Sequence, residues 1–159
     1  MNRSCAWVFA GVVASLLQAE VLAEEDAELA TFKEATRALY DLKEKAFADD
    51  DPKPILERFY APDVISTDAE GNTHVGTAGI APLYAQVVPT NTVRVESIYP
   101  HVNGEIGWDW ANFHVTPDDP NQAPFTFKIL FLWEKVDGRW VCKGDMYVPG
   151  RFEGATAAH

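Results

Sequence analysis

The chain has 159 residues, 47% of them hydrophobic and 23% charged, which is the composition of one globular domain rather than of a disordered segment. Its 13 Lys+Arg stand against 24 Asp+Glu, a net charge of −11. That balance excludes a phosphate-backbone binder, which needs a basic face, and makes anionic membranes poor partners.

The first residues read as an export signal. Arg3 precedes an apolar stretch from Ala6 to Leu17, too short to span a bilayer and suited to a signal-peptide core. Val21-Leu22-Ala23 places small residues at a cleavage site, and Glu24-Glu25-Asp26 forms an acidic mature start. We expect a signal peptide over 1–23, a domain over 24–150 and a flexible tail over 151–159, with the mature protein periplasmic or secreted. Cys5 leaves with the signal, and Cys142 then stands alone as a buried apolar thiol.

Leu29, Phe32, Thr36 and Leu39 recur at helical spacing beside Tyr40 and predict a helix over 26–47. Pro52 opens a second short helix that runs through Tyr60 and breaks at Ala61-Pro62. Val64 to Asp68 reads as a strand followed by a turn at Glu70-Gly71-Asn72, and Thr77 caps a helix over 78–87. The period then changes to two. Strands are expected at 92–101, 105–116, 124–136 and 139–149, with turns at Asn103-Gly104 and Asp137-Gly138. Helices first and a meander of long antiparallel strands afterwards make the fold class α+β.

The Asp137-Gly138 turn implies a register. If Val136 faces Arg139, Trp133 faces Cys142, Phe131 faces Gly144 and Ile129 faces Met146 on one side of the ribbon. On the other side Leu130 faces Asp145, Leu132 faces Lys143 and Lys128 faces Tyr147. The first side, with Phe127, Ile129, Phe131, Trp133 and Met146, is expected to pack against a second copy of the chain as a homodimer. The second is expected to line a cavity under the helices.

Several segments resemble the NTF2-like superfamily in its SnoaL-like and ketosteroid-isomerase-like branch. They are Ile55-Leu-Glu-Arg-Phe-Tyr-Ala-Pro-Asp63, Val75-Gly76, Phe131-Leu-Trp-Glu-Lys-Val-Asp-Gly-Arg-Trp140 and Gly144-Asp-Met-Tyr147. The resemblance implies a cone, a curved sheet wrapped around helices with a central pocket. It also implies site residues by position. Asp68 matches the general base, and Tyr40 the oxyanion tyrosine of the first helix. The second acid of the isomerases falls at Leu130, with Asp145 opposite it on the same face. The same matching puts Trp108, Trp110, Asn112 and His114 on the pocket wall, together with Lys128, Lys143 and Tyr147. Other readings of these residues stay open: Asp68 as a turn cap, Asp145 as a partner of Lys128, Tyr40 as a packing residue.

The chemistry that suits such a pocket is proton transfer. A carboxyl among apolar side chains is desolvated and its pKa rises, so it can take a proton from a carbon acid while a second acid or a tyrosine meets the oxyanion. That describes an isomerase, cyclase or lyase acting on a small apolar carbonyl or hydroxyl compound. A binding module for a hydrophobic metabolite and an assembly domain of an envelope complex are the rival classes. The four histidines lack metal-ligand spacing, and neither a glycine-rich phosphate loop nor a nucleophile elbow is present, so no metal and no cofactor is expected.

Overall fold

The computed structural model describes residues 7–153, with side chains described in the first helix from Leu22 onward. The outermost parts of the expected signal peptide and tail, 1–6 and 154–159, lie outside the described residues. Helix α1 spans Trp7–Ala48 and so begins well before the predicted residue 26. From Val12 to Ala48 the chain contains neither glycine nor proline and is rich in Ala, Leu, Glu and Lys, so nothing local stops the helix near the expected boundary at Ala23. No helix among the described residues is long and apolar enough to cross a membrane.

The buried stripe of α1 is Phe32, Thr36, Tyr40, Lys43 and Phe47, at spacings of three and four. A turn through Asp49–Asp51 closes the helix, with the Asp51 amide donating to the Ala46 carbonyl at 2.9 Å. The short second helix is a single π turn, Ile55–Phe59, whose Ile55 and Phe59 are buried. Strand β1, Tyr60–Thr67, starts four residues ahead of the expected strand. Pro62 is accommodated because the pairing of β1 with its neighbour slips between Tyr60 and Ile65, where no ladder bond is required of it. Strand β2, Thr73–Val75, folds back on β1, and helix α2, Gly76–Val87, follows.

Strands β3 (Asn91–Asn103), β4 (Ile106–Pro117), β5 (Phe125–Val136) and β6 (Arg139–Pro149) form the expected meander. The six strands are ordered β2-β1-β6-β5-β4-β3, and only the β1–β6 pair is parallel. The curved sheet wraps α1 and α2 into the expected α+β cone. The outer edge of β3 is covered by α1: Arg37 donates to the Val95 carbonyl at 2.7 Å, and Glu44 accepts from the Val95 amide at 2.8 Å.

The β5–β6 hairpin closes as the sequence implies, with Val136 opposite Arg139 and positive φ at both Asp137 and Gly138. Trp133 faces Cys142 as expected. The register then shifts, because Lys143 is an extra residue on β6: Leu132 pairs with Gly144, Phe131 with Asp145, Leu130 with Met146, Ile129 with Tyr147 and Lys128 with Val148. This bulge moves Asp145 and Tyr147 onto the face that carries Ile129, Phe131 and Trp133.

That face is the inner one. Phe131 and Trp133 lie under α1, with ring centroids 5.3 and 5.9 Å from Tyr40, and Phe59 closes over Trp133 at 5.2 Å. The expectation that Phe127, Ile129, Phe131, Trp133 and Met146 form an outer dimer face is therefore corrected: of the five only Met146 points outward and is exposed. Truncating Phe131 to Ala would cost about 3–5 kcal/mol, as for other buried aromatic residues.

Candidate active site

The cone encloses a cavity of about 220 Å³. Its walls are apolar: Val93, Phe113, Val115, Phe127 and Ile129 come from the sheet, Leu83 and Val87 from α2 and Phe47 from α1. Phe113 and Phe127 stack with centroids 4.9 Å apart and planes 12° from parallel. Phe125 at the rim is half exposed, whereas Lys43, Ser66, Tyr84 and Asp145 at the opposite end are buried.

That buried end is polar and closely bonded. Tyr60 donates its hydroxyl to Asp145 Oδ2 at 2.5 Å, and Ser66 donates to Asp145 Oδ1 at 2.6 Å. The parallel pairing of β1 with β6 sets Ser66 directly beside Asp145. Lys43 Nζ donates to the Tyr60 oxygen at 2.9 Å, and Tyr84 lies 2.7 Å from the same oxygen. Since Tyr60 spends its one proton on Asp145, Tyr84 is the donor in that contact. The remaining lone pairs of the Asp145 carboxylate and of Tyr84 are free to meet a ligand.

Burial sets the proton affinities. Desolvation lowers Lys43 to about 8, while the charge of Asp145 holds it up. Desolvation, and then the charge of Asp145, raise both Tyr60 and Tyr84 well above the ordinary tyrosine range, so both stay neutral donors. Cys142 is raised too, by burial first, and its thiol donates to the Gly144 carbonyl at 3.2 Å.

The SnoaL-like domain family matches residues 36–142, more than half of the chain. The chain belongs to this family. Solved structures agree in fold. A cystatin-like-fold domain of unknown function from Nostoc punctiforme PCC 73102 superposes with a TM-score of 0.64 at 16% identity, over 76% of this chain and 78% of that one. An NTF2-like protein of unknown function from Shewanella oneidensis MR-1 gives 0.63 at 13%, over 73% and 98%. A ketosteroid isomerase-like protein from Erwinia carotovora atroseptica gives 0.62 at 18%, over 79% and 98%. A search of curated proteins finds no match.

This SnoaL-like cone rearranges the residues named from sequence. Asp145 and Tyr147 line the cavity. Asp145 arrives there through the bulge at Lys143 and shares its face with Phe131 rather than with Leu130. Asp68 does not line the cavity. Its Oδ1 accepts the amides of Glu70 and Asn72 at 3.0 and 2.8 Å and its Oδ2 accepts Asn72 Nδ2 at 2.9 Å, so it caps the β1–β2 turn. The Asn72 side chain, ahead of the backbone amides, holds its carboxyl below the ordinary range. The negative charge of Asp68 is nonetheless close enough to Tyr147, a wall residue, to raise that hydroxyl after burial has done so.

Tyr40 is buried away from the cavity and donates to Asp109 Oδ2 at 2.8 Å. Burial raises Asp109 to about 6, against the pull of Ser97, Tyr40 and the Ile98 amide. Its Oδ1 has no bond of good geometry.

Trp108, Trp110, Asn112, His114, Lys128 and Leu130 are on the convex face and not on the pocket wall. They are correctly grouped on one side of the sheet, but that side is the outer one. The cause is steric. A Cβ on Gly107 would lie 2.8 Å from the Phe32 ring, so α1 can settle only against the small side of β4, formed by Gly107, Asp109 and Ala111. The bulky tryptophans are left outside. There Asn112 bonds both backbone groups of Phe152, at 2.8 and 3.3 Å, and His114 bridges Glu96 and Thr126 at 3.0 Å each. Lys128 sits over the Phe152 ring at 4.8 Å. Lys143 lies at the surface, 2.6 Å from Asp63.

Lys43, Tyr60, Ser66 and Tyr84 were missed from sequence. Lys43 had a legible signal: it falls three residues after Tyr40 and four before Phe47, on the buried stripe, where a lysine is out of place.

Proposed function

We propose that this SnoaL-like protein is an acid/base catalyst of the isomerase, cyclase or lyase type, acting on a small apolar carbonyl compound. The observation that carries this is the Asp145 carboxylate at the buried end of an apolar cavity, with Tyr60, Ser66, Tyr84 and Lys43 around it. Asp145 takes the proton from a carbon next to the carbonyl. The charge that develops on the carbonyl oxygen is met by the Lys43 ammonium, whose protons beyond the one given to Tyr60 are free to donate. A donor held at a fixed position in a buried, largely apolar site needs little reorganisation as that charge forms.

A probe of this chemistry is deuterium uptake at the α-carbon of α-tetralone, a two-ring ketone, in buffered D2O followed by NMR. Wild-type protein should accelerate uptake, and Asp145→Asn should slow it at least about tenfold, roughly 1.4 kcal/mol of barrier. Asp68→Asn should retain the wild-type rate. Equal rates for wild type and Asp145→Asn would refute the assignment of the base. Saturable binding of the ketone without exchange would favour the binding-module reading.

We further propose export and dimerisation. Export is supported by Arg3, the apolar stretch and the Val21-Leu22-Ala23 site. Dimerisation is supported by a row of outward apolar residues across the convex face. Trp108 and Leu132 are neighbours on β4 and β5, and Leu132 and Ile65 both neighbour Gly144. Leu130 and Met146 extend the row.

A further inference from the structure

We propose that Lys43 is a covalent site of this pocket, an amine that condenses with small apolar aldehydes and ketones to form an imine. The inference rests on the cavity being a ligand site, and not on Asp145 being its base.

Lys43 is 1% exposed and lines the buried end of the cavity. A buried lysine with a structural role is ordinarily ion-paired. Among the described residues Lys43 has no carboxylate within salt-bridge distance, and its one hydrogen bond goes to the neutral Tyr60 hydroxyl. Its remaining surroundings are aromatic faces: the rings of Phe59, Tyr60, Tyr84, Phe131 and Phe113 lie 4.2, 4.8, 5.2, 5.3 and 5.6 Å from Nζ. Such a cage attracts the ammonium through the ring faces without a hydrogen bond to its nitrogen, while the apolar burial it provides favours the neutral amine.

The chemical consequence is nucleophilicity. With its pKa lowered to about 8, roughly one Lys43 in ten is a free amine at pH 7, against roughly one in a few thousand for an ordinary lysine. The groups that face it are Asp145 and Cys142 from β6, Tyr60 from β1 and Tyr84 from α2; the residues facing it from β4 and β5, Phe113 and Phe131, are uncharged.

The step balances without a co-reactant. The Nζ lone pair attacks the carbonyl carbon and a C–N bond forms. One amine proton passes to the oxygen, giving a carbinolamine. The C–O bond then breaks, and the second amine proton leaves with that oxygen as water while C=N forms. Tyr60, bonded to Nζ, and Tyr84, bonded to Tyr60, can relay the protons. The ligand class follows from size and lining. A cavity of about 220 Å³ exceeds the roughly 150 Å³ that takes benzene and falls short of the ~300 Å³ at which drug-sized sites begin. One- and two-ring aldehydes and ketones fit, with the carbonyl at the Lys43 end and the rings between Phe113, Phe127 and Leu83.

The test uses the purified full chain with benzaldehyde and sodium cyanoborohydride, which reduces an imine to a stable secondary amine. Intact mass and peptide mapping should show one adduct, on Lys43, saturable in aldehyde and rising with pH through a midpoint near 8. Lys43→Arg and Lys43→Met should lose it. Label spread over surface lysines such as Lys45, Lys53 and Lys135, with none preferred, would overturn the proposal. The mapping is made on the wild type, so it stands even if a variant folds poorly. Asp145→Asn separates the two readings. It should keep the adduct and lower its pH midpoint, because the charge of Asp145 holds the ammonium form in place. Asp145-dependent exchange with no Lys43 adduct would overturn the imine and leave the proposed base standing; an adduct without exchange would do the reverse.

Discussion

Asp109→Asn should change stability in a way that depends on pH. Asp109 is fully buried beneath α1, where its carboxyl is raised from 3.8 to about 6, chiefly by desolvation. A folded-state pKa above the unfolded value means that protonated Asp109 favours folding. The contribution is fully present below the unfolded pKa, near 4, and is lost as pH rises through about 6. A shift of this size corresponds to about 3 kcal/mol between the acid limit and pH 8. At pH 4 the unfolded chain is already about half ionised, so about 2 kcal/mol separates pH 4 from pH 8. Asparagine keeps the shape and can still accept from Tyr40, but its amide cannot ionise. Its new N–H donors lie where Oδ1 has no bond of good geometry, which costs about 1 kcal/mol at every pH. Urea denaturation of both proteins at pH 4 and pH 8 gives the difference of differences, in which that constant cost cancels. The variant should gain about 2 kcal/mol relative to wild type on going from pH 4 to pH 8. An identical offset at the two pH values would refute the reading that Asp109 carries an ionisation cost in the folded protein.

Export predicts a mature chain beginning at Glu24, which intact mass of secreted material reads directly; a full-length cytosolic product would argue against it. Dimerisation through the convex face predicts that Leu132→Glu, at a position 47% exposed in the single chain, converts a dimer to a monomer in light scattering with little loss of thermal stability. A wild-type monomer at micromolar concentration would contradict that face as an interface.

Local signals in the sequence determined the elements. The spacing of Phe32, Thr36 and Tyr40 marks the inner stripe of α1, and Asp137-Gly138 can adopt the positive φ values that a two-residue hairpin demands. Alternation correctly grouped Trp108, Trp110, Asn112 and His114 on one side of β4. Which side faces the helices was beyond it, because period two is unchanged when the two faces are exchanged and both faces of this sheet carry apolar residues. Tertiary packing decided that, through the approach of Phe32 to Gly107, and only Gly107-x-Asp109-x-Ala111 hinted at it by being small. The bulge at Lys143 was equally silent: a single extra residue leaves every local preference intact yet moves Asp145 across the sheet. The polar end of the cavity is nonlocal in the same sense. Lys43, Tyr60, Ser66, Tyr84 and Asp145 come from α1, β1, α2 and β6, and no motif links them in the chain. They meet because each is the inward residue of its own element where the cone closes, a coincidence that exists only once the sheet has wrapped around the helices.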